Sequence, residues 1–82
     1  MMELVRGFVM VEYTVSLLWD DDAQVWYCTS VDIPGLILES ASLDNLLDRA
    51  RHAAFELLKL MGHDPANASL SFKAERRVTV LA

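Results

Sequence analysis

The stretch from Trp26 to Glu39, WYCTSVDIPGLILE, constrains the fold more than any other part of this chain, because a strand-like run meets Asp32-Ile33-Pro34-Gly35 and resumes at once. Pro34 has no N–H to give to a strand ladder, and Gly35 adopts a positive φ without the steric cost of a side chain, so the chain must turn there. Leu36, Ile37 and Leu38 then read as a short third strand, apolar on both faces until Glu39. Such a strand implies that both faces of the sheet are covered near this corner.

The residues before the corner supply its partners. Val11, Tyr13, Val15, Leu17 and Trp19 alternate with Glu12, Thr14 and Ser16, the period of a half-buried strand. Asp20, Asp21, Asp22 and Ala23 interrupt the pattern with short residues that suit turns, and a second β-rich run from Gln24 to Val31 begins immediately. The two runs predict an antiparallel hairpin. Three adjacent Asp invite a metal reading, but an EF-hand loop needs about 12 residues with a central Gly and a terminal bidentate Glu, so a solvated turn fits better. Residues 1–10, MMELVRGFVM, show no clean period and read as an N-terminal arm or extension, leaving residues 11–82 as a single domain.

After the corner comes the longest periodic segment, with Leu43, Leu46, Leu47, Ala50, Ala54, Leu57, Leu58 and Met61 at helical spacing. Ser42 is the natural N-cap, Asp44 complements the dipole in the first turn, and Gly62 with Asp64-Pro65 ends the segment, predicting a helix over about 43–61. Its polar face places Arg49 to meet Asn45 or Glu56, and His52 to meet Asp48 or Glu56. Beyond it, Leu70, Phe72 and Ala74 alternate with polar residues, and Val78 and Val80 continue the pattern past Glu75-Arg76-Arg77, predicting a last strand from Leu70 to Val80 with a break near Glu75. The fold class is therefore α+β in the order β-β-β-α-β, with one helix packed on one face of a four-stranded sheet.

Chemistry finds little footing in this arrangement. Cys28 is the single cysteine, so the chain builds neither an internal disulfide nor a cysteine metal cluster, and a reducing, cytoplasmic setting is expected. The three glycines are scattered and form no phosphate-cradling loop, and neither His52 nor His63 has a nucleophile at local spacing. No cofactor or metal is implied. The net charge of −5 disfavours binding to a phosphate backbone and favours a basic partner. No stretch approaches the roughly 18 apolar residues that span a bilayer, so no membrane is expected. An apolar fraction of 54% and a mean hydropathy of +0.27 exceed what so short a chain can bury alone, which points to self-association as a dimer.

Trp19-Asp20-Asp21-Asp22-Ala23, Val25-Trp26, Thr29-Ser30, Asp32-Ile33-Pro34-Gly35-Leu36 and Ser42-Leu43-Asp44-Asn45-Leu46, in that order, carry a family resemblance. The chain resembles the HicB-like antitoxins, and within them a short branch of domains of unknown function, over Val11 to Gly62. The resemblance implies a degraded ribonuclease-H-like fold that dimerises and masks a small basic messenger-RNA-cleaving toxin. It also implies a last strand parallel to the first after a right-handed crossover through the helix. Strand-centre acids, which would fix a two-metal site, are missing apart from Glu12, in keeping with a non-enzymatic domain. The usual DNA-binding segment of such antitoxins has no counterpart before Ala82, so direct nucleic-acid binding is not expected. The doubly apolar corner marks the candidate interface: Trp26, Cys28, Pro34, Leu36, Ile37 and Leu38. Alternative readings are a homodimeric scaffold or ligand-binding module, and a metal-dependent nuclease using the Asp clusters.

Overall fold

The alternation that begins at Val11 becomes the longest strand of the sheet. In the computed structural model, which describes residues 10–81, β1 spans Val11–Asp20, β2 Val25–Thr29, β3 Leu38–Ser40, α1 Leu43–Leu60 and β4 Ala68–Glu75, with a 3-10 turn at Pro65–Asn67 before β4. The expected N-terminal arm, residues 1–10, lies outside the described residues except for Met10, which is exposed and precedes β1. The sheet order is β3-β2-β1-β4. β1 pairs antiparallel with β2 and β2 antiparallel with β3, whereas β4 returns parallel to β1. A parallel return needs a crossover, and α1 provides it by carrying the chain from one sheet edge to the other.

The register puts Tyr13, Val15 and Leu17 of β1 on one face with Cys28 of β2, Leu38 of β3, and Leu70 and Phe72 of β4. That face meets α1. The helix buries Leu46, Ala50, Ala54 and Leu58, a stripe at four-residue spacing with two small residues at its centre that let helix and sheet approach closely. Val15, Leu17, Cys28, Leu46 and Leu58 are almost wholly enclosed. Each large apolar side chain so buried stabilises the fold by roughly 1.5–3 kcal/mol relative to exposure. Trp19 and Trp26, paired across β1 and β2, meet edge to face with ring centroids 5.6 Å apart, an arrangement favoured by the aromatic quadrupole.

Both helix ends follow the expected chemistry. Ser42 has extended backbone angles and its hydroxyl accepts from the Asn45 N–H at 3.2 Å. At the other end Gly62 takes φ +84°, its N–H reaches the Lys59 carbonyl and that of His63 the Leu58 carbonyl, closing a Schellman motif.

Three boundaries differ from the sequence reading. β2 is shorter than Gln24 to Val31, because Gln24 sits at φ 58° in the hairpin and the chain leaves the sheet at Ser30. β3 starts at Leu38, not Leu36, so the apolar run is divided: Leu36 lies in a loop and points into the core, while Ile37 points out. Two covered faces are therefore not what makes that run apolar. β4 stops at Glu75, not Val80. Its ladder partner β1 turns away at Asp20, just past the Leu18–Glu75 pair, so among the described residues Val78 and Val80 have no neighbouring strand and are 74% and 96% exposed. Among the described residues no helix is long and apolar enough to cross a membrane.

Candidate functional site

The corner is held by side chains that stand in for missing strand neighbours. The β1–β2 ladder ends at Ser16–Thr29, which leaves the backbone of Thr14 without a strand partner on that side. Asp32 Oδ2 accepts the Thr14 N–H at 2.8 Å, and the Ser30 hydroxyl donates to the Thr14 carbonyl at 2.6 Å. Ser30 Oγ also accepts from the N–H groups of Asp32 and Ile33, fixing the turn. The turn then drives Ile33 and Leu36 into the core, at 0% and 1% exposure. Gly35 lies between them at φ +94°, a conformation that side chains resist; the nearest atom to a Cβ placed there is Leu57 Cδ2 at an ordinary 3.6 Å, so the backbone angle rather than crowding selects glycine.

This geometry separates the six candidate interface residues. Cys28 and Leu36 are enclosed in the monomer core and offer no surface. Burial pushes the Cys28 thiol pKa up from its ordinary value, partly countered by a hydrogen bond at the Leu38 backbone and by the Arg49 charge. Trp26 and Leu38 are half-buried against the core. Pro34 and Ile37 are exposed, Ile37 at 72%. Ile37 shares a shallow concavity of about 520 Å³ with Asp20, Tyr27, Leu38, Glu39 and Arg49. Asp20, Glu39 and Arg49 are the charged residues of its lining, two acids and one base beside the apolar Ile37 and Leu38.

Arg49 enters the site by a route the helical spacing did not indicate. It meets neither Asn45 nor Glu56; its Nη1 donates to the Glu39 carbonyl at 2.9 Å and braces β3 against α1. Only the third dimension brings the helix beside β3, so no local signal could have found the contact. His52 does meet Asp48, with Nδ1 2.9 Å from its carbonyl oxygen.

A second concavity opens between α1 and β4. Ala54, Phe55, Leu58, Ala68 and Leu70 line about 360 Å³ of it, with Arg51 and His52 at the rim, and it continues past Leu47 and Phe72 towards Asp44 and Asp48. Helical spacing marked Ala54 and Leu58, and strand alternation marked Leu70 and Phe72, without indicating that they border a cleft.

The clustered acids are structural where their partners are visible. Asp20 Oδ1 accepts the N–H groups of Asp22 and Ala23, and Asp21 Oδ1 accepts from Trp19 Nε1, so the triplet shapes the hairpin. Among the described residues no three of His, Cys, Asp and Glu come together as metal ligands.

Comparison with known proteins places this geometry beside two others. A family model described as a domain of unknown function, DUF1902, matches residues 12–81. Among solved structures, the hypothetical protein TTHA1013 from the extremely thermophilic bacterium Thermus thermophilus is similar, with 33% identity and a TM-score of 0.69 over 84% of this chain and 99% of that one. No curated protein matches the chain.

Proposed function

The chain belongs to the DUF1902 family of domains of unknown function, and from that premise we propose a non-catalytic protein-binding domain, antitoxin-like, that receives a small basic protein on the hollow around Ile37. One observation carries the reading: an isoleucine exposed at 72%, just before β3, lines a hollow whose charged residues are Asp20, Glu39 and Arg49, acids outnumbering the base. An apolar anchor inside a charged rim is how protein interfaces concentrate their affinity. The net charge of −5 extends the same preference over the molecule and would speed encounter with a cationic partner.

β3 is three residues long and Arg49 already takes its Glu39 carbonyl, so the reading rests on side chains around Ile37 rather than on an added strand. In the HicB-like reading the partner is a small basic messenger-RNA-cleaving toxin whose active site is covered. Copurification with the product of the adjacent gene tests it. A stable complex that protects cells from that product is expected; failure both to bind and to rescue growth would remove the toxin reading.

The cleft between α1 and β4 favours a second reading, a ligand-binding module, because its volume falls in the range of small-molecule sites and its lining is mainly apolar. Screening apolar carboxylates by thermal shift separates the two, since such a ligand raises the melting temperature with no protein partner present.

A further inference from the structure

We infer that the outer edge of β4, together with residues 76–81, is the surface on which a second copy of this chain docks, forming an antiparallel β4–β4 ladder about a twofold axis at Ala74. Among the described residues no strand pairs with that edge, although β4 is eight residues long. Long unpaired edges are templates for another chain. Past Glu75 the chain keeps the alternation without a partner: Val78 and Val80 stand 74% and 96% exposed, on the parity of Leu70 and Phe72, which face α1.

Side-chain chemistry selects one register. A ladder shifted by a single residue would oppose Val78 and Val80 to the polar residues Ser69 and Ser71, because the side-chain period is two. Among registers that keep the apolar parity, an axis at Lys73 sets lysine against lysine, and an axis at Glu75 sets glutamate against glutamate and Arg77 against the partner's Lys73. An axis at Ala74 instead places Glu75 opposite the partner's Lys73, twice by symmetry. The same register sets Val78 opposite the partner's Leu70 and Val80 opposite the partner's Ala68. Those two residues line the cleft between α1 and β4, so each copy's C-terminal segment covers apolar surface that the other leaves open.

Lys73 and Glu75 are both exposed, so their exchange leaves the core intact. In the single chain Glu75 Oε2 accepts from Arg77 Nε at 3.2 Å, an ion pair that Glu75→Lys abolishes in either oligomeric state, which makes the double exchange the informative one. Analytical ultracentrifugation of the full chain is the test. The wild type sediments as a dimer, Glu75→Lys and Lys73→Glu each weaken it by about tenfold, and the combined Glu75→Lys/Lys73→Glu protein recovers most of the affinity. A monomeric wild type at 100-micromolar-scale concentration would overturn the inference, as would occupation of this edge by the chain's own residues 1–9, which leaves the wild type monomeric. A dimer indifferent to both single exchanges, or one that the double exchange fails to restore, would place the contact on another surface.

Discussion

At Thr14 the β1 backbone runs on after its β2 neighbour has turned away, and two side chains from the corner take over its hydrogen bonds. A charge-assisted bond such as that from Thr14 to Asp32 contributes about 1.5–3 kcal/mol where shielded and less where wet, as here. Asp32→Ala is therefore expected to cost about 1 kcal/mol in chemical denaturation, and Asp32→Asn less, because an amide oxygen still accepts. Gly35→Ala is expected to cost about 1–2 kcal/mol through its positive φ alone. Cys28 gives a different test. Its folded thiol pKa lies above the ordinary value of 9.0, so the contribution to stability is fully present below that pH and is lost as pH rises from there towards the higher folded value. A thiol reagent should label Cys28 only at the rate of unfolding, and prompt labelling of the native protein would contradict its burial.

At the scale of elements, α1 is secured by its ends as well as by its buried stripe. Ser42→Ala is expected to lower stability by about 1 kcal/mol, measurable as a shift of the denaturation midpoint with an unchanged slope. The helix was legible because Leu46, Ala50, Ala54 and Leu58 recur at one spacing between a serine and a glycine, signals that are local. The hairpin was legible for the same reason, through the three Asp and the alternation on either side. What escaped was non-local. The run Leu36-Ile37-Leu38 looks uniform in sequence, but a turn held by Ser30 and Asp32 sends Leu36 inward and Ile37 outward, and composition carries no trace of that division. Val78 and Val80 have a strand's alternation without a strand, since pairing depends on where β1 ends rather than on their own propensity.

At the scale of the whole fold, among the described residues one helix covers one face of the sheet and two edges remain: short β3 beside the hollow at Ile37, and long β4 beside an apolar cleft. Of the six residues that the sequence marked as an interface, the fold keeps Pro34 and Ile37 exposed, holds Trp26 and Leu38 half-buried and encloses Cys28 and Leu36. The corner was legible in the sequence, but its division into inner and outer residues was not. Calorimetric titration of the full chain with the product of the adjacent gene tests most directly the proposed binding of a basic protein at Ile37. Tight binding is expected, weakened about 30-fold or more by Ile37→Asp while the far-ultraviolet circular dichroism is unchanged. Binding that Ile37→Asp leaves intact, or no binding by the wild type, would contradict it.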